Sequence, residues 1–285
     1  MMSNGGVRFW QPAPQSGNEL ACARLEVGRD RPHVHEEWQF AVAEIPAKLS
    51  VGAFRRYTAQ TTDLTVVPPY DVHAEGGGGG PFPNWRVLYV APALVSRVYR
   101  GIVGSSGAEA PQFNGLVLVA PAAAAELSAL LRDSEAGKIE GSAFLALALR
   151  WLQGLLRCHA VEMFAPAGRP AIERARAYLL ERPTQSVSLS EVGAVAGVTV
   201  SHLVRSFSRA VGLPPKSYHA QVRLARAGRL LAQGMPAASV AYECGFSDQC
   251  HLSRRFKESY GVTPGVFQSQ YRAHAPAAEP DSNAA

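Results

Sequence analysis

The sequence predicts an α+β protein: an amino-terminal antiparallel β-barrel followed by a helical segment, then a carboxy-terminal all-α domain with two helix-turn-helix units. Three observations carry this prediction. Short β-rich runs fill the first third of the chain, a helical period begins near residue 122, and the last hundred residues repeat one pattern at an interval of 49 positions. A length of 285 residues fits two domains, since single cores seldom exceed about 250 residues.

We assign residues 1–110 to the β domain. Turn residues separate its β-rich runs, which is typical of a small antiparallel barrel or sandwich. The run Gly76–Gly80 has too much backbone freedom for a strand and predicts a mobile loop. The expected strands are Ala21–Val27, Trp38–Ile45, Leu64–Val67 and Arg86–Val90.

Histidines mark one face of this domain. His33, His35 and Gln39 share one parity on an extended chain, so they point to the face opposite Trp38, and His73 follows a Pro-rich turn. Three imidazoles are able to hold a divalent metal. Three interpretations stay open at this point: a metal site, the lining of a small-molecule site, and histidines that only stabilise the fold.

A helix follows that is apolar around most of its circumference. Two apolar stripes leave only a narrow polar strip, so the helix needs partners on two sides. We assign residues 111–164 to a helical dimerisation segment; the alternative is a helix enclosed within one subunit. Residues 165–170 read as a linker, and residues 275–285 as a disordered tail. The stripes are Phe144, Leu147, Ala148, Trp151 and Leu155, and Leu145, Leu149, Leu152 and Leu156.

Charge is unevenly distributed. The chain carries a net +5, but residues 171–274, which we assign to the second domain, hold 13 Lys and Arg against 6 Asp and Glu. This basic surplus indicates a polyanionic partner, with surface charge for solubility as the alternative.

The repeated segment predicts two DNA-reading helices. Ser188 and Glu191 form a capping-box pattern that starts a first helix, which ends at Gly197. A second helix over about residues 200–210, and its copy over about 248–259, place Leu and Phe on one face and polar residues on the other. The recurring residues are Leu203, Arg205, Phe207, Gly212 and Pro215, which return as Leu252, Arg254, Phe256, Gly261 and Pro264.

Arg205 and Arg254 are the favoured base-reading residues, because arginine donates two hydrogen bonds to guanine; a phosphate or carboxylate contact is the alternative. A connecting helix over about residues 216–233 would span about 27 Å, comparable with the ~34 Å between successive major grooves. Its arginines Arg223, Arg226 and Arg229 are expected to be free for phosphates or acidic partners.

These residues resemble the DNA-binding domain of AraC/XylS-type transcriptional regulators. The likeness covers about residues 172–271 and includes the late signature GFSDQCHLSRRFKESYGVTPGVF (Gly245–Phe267). Val204 and Cys250 depart from the polar residues common at their positions, so thymine methyls or DNA shape would be read there. By this resemblance the DNA-binding residues are Ser201, Val204 and Arg205 in the first unit and Gln249, Cys250, His251, Ser253 and Arg254 in the second.

The histidine pattern resembles a cupin whose usual carboxylate position is taken by Gln39, a weaker ligand. The resemblance implies an effector-sensing domain that has largely lost metal ligation. His33, His35, Gln39 and His73 are therefore expected to bind the effector. No metal is assigned, and His33, His35 and His73 stay the less favoured metal candidates.

The function predicted is a sequence-specific transcriptional regulator under effector control, with no catalytic residue and no cofactor. Two alternatives are a metal-dependent cupin enzyme with an appended DNA module, and a constitutive DNA binder. Expected partners are duplex DNA, an unidentified small molecule, a second copy of the chain and RNA polymerase, with no membrane. Four cysteines without a CxxC pair fit reduced thiols in the cytoplasm.

Overall fold

The computed structural model describes residues 6–13, 19–25, 29–52, 55–76, 85–104, 110–161 and 170–272. Most of the five-glycine run, the linker apart from its last residue, and the tail lie outside these residues, so the predictions made for them stay predictions. Among the described helices, none combines the length and the apolar character required to cross a bilayer.

The amino-terminal domain contains two antiparallel sheets. One has six strands in the order β1-β2-β9-β4-β7-β11 and the other has four in the order β3-β8-β5-β6. The strands are β1 (Val7–Trp10), β2 (Leu20–Leu25), β3 (Arg29–His33), β4 (Trp38–Ala43), β5 (Ala47–Val51), β6 (Arg55–Ala59), β7 (Asp63–Val67), β8 (His73–Glu75), β9 (Trp85–Val90), β10 (Gln112–Phe113), β11 (Val117–Val119) and β12 (Ala160–Val161).

Three helices cover the outer face of the six-stranded sheet: α1 (Pro92–Val103), α2 (Pro121–Glu135) and α3 (Gly141–His159). Strand alternation explains this packing, because Trp38 and Phe40 of β4 join a core with Trp151 of α3, whereas Ala41 faces the four-stranded sheet. Within the described residues no ladder of hydrogen bonds joins the two sheets, so the predicted barrel is open between them.

The carboxy-terminal domain is all-helical, as predicted. Its helices are α4 (Pro170–Glu181), α5 (Leu189–Ala196), α6 (Val200–Val211), α7 (Pro215–Ala232), α8 (Ala237–Glu243), α9 (Gln249–Tyr260) and α10 (Pro264–Arg272). Helices α5 and α6 form the first helix-turn-helix unit, and α8 and α9 form the second. The α+β fold class is therefore confirmed.

Local sequence signals define the helix ends in this domain. The capping box is present: the Ser188 side chain accepts from the Glu191 backbone, and the Glu191 side chain accepts from the Ser188 N–H. Thr199 and Asp248 cap α6 and α9 in the same way through side-chain oxygens. Both reading helices end at a left-handed glycine, Gly212 with φ 96° and Gly261 with φ 79°, a conformation that disfavours other residues.

The sequence predicted the strands β2, β4, β7 and β9 and missed others. Strand β4 ends at Ala43 rather than at Ile45, and β1, β3, β5, β6, β8 and the helix α1 were not expected. The segment assigned to dimerisation contains α2 and α3, and it also supplies β11, which pairs with β7 in the main sheet.

Candidate nucleic-acid interface and sensor site

The two reading helices, α6 and α9, bury equivalent residues and expose equivalent faces. Leu203 and Phe207 of α6 are fully buried, as are Leu252 and Phe256 of α9. These side chains attach each helix to its own unit. The polar face of each helix is consequently directed away from the domain core, as the helical spacing predicted.

In the first unit, Ser201 and Arg205 are exposed and Val204 is half-buried. The guanidinium Nε of Arg205 donates to the Ser201 carbonyl, 3.3 Å away on the preceding turn. This contact is local, so the remaining guanidinium N–H groups can still reach a ligand beyond the helix.

In the second unit, Gln249, Cys250 and Arg254 are exposed, whereas His251 and Ser253 are half-buried. The His251 ring packs edge-on against Phe246, with centroids 5.5 Å apart, and its Nδ1 lies 3.1 Å from the Ser247 hydroxyl. The structure thus places all eight residues predicted to bind DNA on the two reading helices, in exposed or half-buried positions.

The arginines of α7 do not form the free strip that was expected. Arg223 donates to the carbonyls of Pro183 (3.4 Å) and Gly245 (3.1 Å), and burial lowers its pKa. The prediction that it is free was therefore wrong, because it fastens the loop before α5 and the turn after α8 to α7. Arg229 does meet an acidic partner, Glu36 of the same chain, at 2.6 Å.

The DNA-binding domain packs directly on the amino-terminal domain. Phe9 of β1 stands edge-on to Phe267 of α10, with centroids 4.8 Å apart, and the Phe9 N–H donates to the Gln270 side chain at 2.9 Å. On the opposite flank Arg176 pairs with Asp71 at 2.7 Å. Apolar packing between two polar contacts therefore fixes how the domains are docked.

Each unit also meets the amino-terminal domain at its left-handed glycine. A methyl group added at Gly212 would lie 2.5 Å from the backbone carbon of Gly52, and one added at Gly261 would lie 3.1 Å from a methyl of Val7. Equivalent positions of the repeat, 49 residues apart, thus rest on the same domain.

The residues predicted to bind the effector come together in a buried cluster. The exposed fractions of His33, His35, Gln39 and His73 are 2, 5, 0 and 1%. Glu75, which was not predicted, joins them: the Gln39 amide donates to its carboxylate at 2.8 Å. Glu75 and His73 are two residues apart on β8 and therefore point to the same face of the strand. The sequence alone contains this pattern.

Several cavities lie between the domains. One of about 380 Å³ lies where Gly52 and Asp71 face Arg176 and Val211, and two others adjoin each other. The larger of these two, about 280 Å³, is enclosed by both domains, with Tyr70 and Tyr89 on one side and Arg229 and Tyr271 on the other. The smaller, about 40 Å³, reaches the histidine cluster at His35. The other three predicted effector residues do not line either cavity. Tyr89 lines both cavities, whereas Trp38 and Trp85 lie in the cores.

The lining of the 280 Å³ cavity includes both acidic and basic side chains. Glu36 and Glu37 are adjacent, and burial, together with the charge of Glu36, raises the pKa of Glu37 to about 7. Burial and the two carboxylates also raise the pKa of Tyr70. The cavity therefore offers a cation at Arg229, an acid that is easily protonated, and aromatic walls.

Comparison with known proteins agrees with this architecture. A helix-turn-helix domain family model matches residues 192–270. The chain is 27% identical over 226 residues to the uncharacterized HTH-type transcriptional regulator YbfI of Bacillus subtilis, covering 77% of this chain and 80% of that protein. It is 31% identical over 106 residues to a putative AraC-like transcription regulator of Streptomyces antibioticus, covering 37% of this chain and 34% of that protein.

Among solved structures, ToxT of Vibrio cholerae with a bound unsaturated fatty acid shares the fold. The TM-score is 0.55 at 11% identity, over 97% of this chain and 100% of ToxT. The likeness extends through both domains. Residues 192–270 are a helix-turn-helix domain. With the two units seen in the fold and the relatives above, this makes the chain a DNA-binding transcriptional regulator that resembles those of the AraC/XylS type.

Proposed function

We propose that the chain recognises its operator by laying α6 and α9 in successive major grooves on one side of the duplex. The observation that carries this proposal is that the two helices expose the same face of the repeat while burying the same Leu and Phe. Helix α7 connects the units over 18 residues, or about 27 Å, and adjacent grooves on one side of B-DNA are about 34 Å apart.

The eight residues of α6 and α9 that are predicted to bind DNA suit different kinds of contact. Arg205 and Arg254 can each give paired hydrogen bonds to guanine, and Gln249 can pair with adenine. Val204 and Cys250 offer apolar surface suited to thymine methyl groups. Ser201, His251 and Ser253 are positioned for shorter contacts to bases or phosphates.

Effector control is assigned to the 280 Å³ cavity between the domains. A molecule in the 280 Å³ space would touch both domains, so its affinity would differ between docked and separated arrangements. Tyr70 and Tyr89 suit an apolar body, and Arg229 suits a polar or anionic group. Of the predicted effector residues, only His35 reaches this region, at the smaller cavity.

A second copy of the chain is the partner we assign to α2 and α3. An open groove of about 540 Å³ runs between these helices, and Leu130, Ile139 and Leu147 contribute apolar surface to it. Sequence periodicity gave α3 apolar residues on two sides, and half-buried Leu145, Leu147 and Leu149 lie beyond the buried set.

We infer a regulator without catalytic activity that works in the cytoplasm, where it meets DNA and RNA polymerase.

Selection of bound duplexes from a random pool tests the proposal directly. The full-length chain should select a site with two conserved blocks about one helical turn apart. Arg254→Ala should relax the base preference at one position, at a cost of about 1–3 kcal/mol there. The matched control is Arg255→Ala, which removes a neighbouring charge that is paired with Glu258 at 3.2 Å.

Two outcomes would contradict the proposal. Selection of a single block would mean that only one unit enters a groove. An equal loss of affinity on every sequence with Arg254→Ala would show that this side chain contacts phosphate rather than a base.

A further inference from the structure

The cluster next to the domain interface has the composition of a metal site. His33 and His73 lie opposite each other where β3 pairs with β8, His35 follows two residues after His33, and Glu75 follows two residues after His73. One donor atom from each of these four residues lies within 4.8 Å of all the others. All four side chains are no more than 5% exposed.

Backbone contacts determine which imidazole nitrogen faces inward. The Nδ1 of His33 lies 3.0 Å from the Arg31 carbonyl, and the Nδ1 of His73 lies 2.9 Å from the Asp71 carbonyl. A carbonyl only accepts, so each Nδ1 can donate its hydrogen to the backbone and leave Nε2 directed into the cluster. Metal-binding histidines are commonly oriented by this kind of contact. The Nε2 of His73 also lies 3.3 Å from the side-chain oxygen of Gln39, a contact that a bound ion would replace.

The inward nitrogens face a carboxylate. The Nε2 atoms of His33 and His73 each lie 3.5 Å from a different oxygen of Glu75. A cation held between these groups would be attracted both to the Glu75 carboxylate and to the imidazole nitrogens. The Gln39 amide donates to Glu75 at 2.8 Å and thereby fixes the plane of the carboxylate. Gln39 is thus a positioning residue, and the carboxylate comes from β8 instead of β4.

We propose that His33, His35, His73 and Glu75 bind one divalent transition-metal ion, with Zn²⁺ the best match. Bond lengths of about 2.0–2.2 Å to imidazole and carboxylate imply separations of about 3.3 Å between the ligand atoms of a tetrahedron. Two imidazole-to-carboxylate distances are 3.5 Å, and the four ligand atoms lie within 4.8 Å of one another, so a bound ion would draw the set together by about 1 Å. Four protein ligands in a buried site are typical of a structural ion, whereas a catalytic ion keeps an open position.

The site is connected to the second reading helix through one ring. His35 packs edge-on to Tyr89, with centroids 4.9 Å apart, and faces Tyr260, the last residue of α9, at 6.3 Å. Tyr89 also lines both of the adjoining interdomain cavities. An ion that fixes His35 therefore stabilises the surface on which α9 is docked. This consequence for DNA binding rests on the function proposed above, whereas the metal site does not.

The test uses the full-length chain, stripped with a chelator and then titrated with Zn²⁺ against a chromophoric competitor. One equivalent should bind per chain and raise the melting temperature. Co²⁺ should give the visible absorption of a four-coordinate site with nitrogen and oxygen ligands. The isosteric variant Glu75→Gln should lose stoichiometric binding, and Gln39→Ala should bind about 10- to 100-fold more weakly. The matched control, His219→Gln, changes a buried histidine outside the cluster and should bind as the wild type does.

Failure of the wild-type chain to bind Zn²⁺ or Co²⁺ stoichiometrically while remaining folded would overturn the proposal. Unchanged affinity in Glu75→Gln would overturn it as well. If Glu75→Gln does not fold, the Co²⁺ spectrum of the wild type and the affinity of Gln39→Ala still decide. Selection of a two-block operator by the metal-free chain would leave the proposed function standing whatever the metal result.

Discussion

His219 on α7 shows how one buried side chain ties stability to pH. The residue is 7% exposed, and its Nε2 donates to the Arg182 carbonyl at 2.7 Å. Burial lowers the pKa of His219, and the nearby charge of Arg223 lowers it further. Because the folded pKa lies below the unfolded value of about 6.5, the unfolded chain binds more protons in acid. The contribution of His219 is therefore present above about pH 6.5 and is lost as the pH falls.

Replacing His219 with glutamine should flatten this part of the pH profile. Glutamine keeps an N–H donor for the Arg182 carbonyl but does not titrate. Denaturant unfolding at several pH values between about 5 and 8 should show a smaller loss of stability on acidification in His219→Gln than in the wild type. Exposed His202 provides the control, and His202→Gln should follow the wild-type profile. Parallel profiles for all three proteins would refute the assignment.

At the scale of single residues, the sequence predicted exposure better than pairing. Leu203 and Phe207 were correctly placed in the core because helical spacing depends only on local geometry. Arg223 contacts Pro183 and Gly245, 40 and 22 positions away, and Glu75 contacts Gln39, 36 positions away. Periodicity along one segment contains no information on such a partner.

Helix α5 is an element that depends strongly on its cap. It has only eight residues, too few for a stable helix in isolation, and its capping box satisfies backbone groups at the amino end. Ser188→Ala should destabilise the DNA-binding domain by about 1 kcal/mol. Thermal or denaturant unfolding of the chain measures this cost. Exposed Ser239 of α8 is the control, and Ser239→Ala should change stability by less than about 0.5 kcal/mol; equal effects of both substitutions would contradict the capping argument.

Among the elements, those with strong local patterns were predictable. The repeat gave α6 and α9 to within about one residue, since caps and left-handed glycines mark their ends. The strands β3 and β6, with sequences RDRPH and RRYTA, were missed. Their polar residues hide the alternation, and their pairing with β8 and β5 is a tertiary property.

The docking of the two domains belongs to the scale of the whole molecule. It combines the apolar contacts of Phe9 with the partly buried ion pairs Glu36–Arg229 and Asp71–Arg176. Surface pairs contribute about 0.2–1 kcal/mol each, so the loss of both should favour separation by up to about 30-fold. The Phe9 N–H reports on this equilibrium because it donates to Gln270 of the other domain.

The double variant Glu36→Gln, Asp71→Asn should accelerate hydrogen exchange at the Phe9 amide by up to about 30-fold. The amide of Phe40, inside β4 of the six-stranded sheet, should be unaffected and serves as the internal reference. Asp133→Asn is the matched control, because its pair with Lys138 lies away from the interface. Exchange at Phe9 equal to that of the wild type would mean that apolar packing alone holds the domains together.

The support that the amino-terminal domain gives to Gly212 and Gly261 has a consequence for how an inducing signal is transmitted. The amino-terminal domain contacts the corresponding turn of both helix-turn-helix units. Its displacement should therefore release or reorient the two units in a single event. In footprinting, we expect protection of both blocks of the operator to appear and disappear at the same effector concentration. Such a result would show a concerted response, in which the two units do not leave the DNA one after the other.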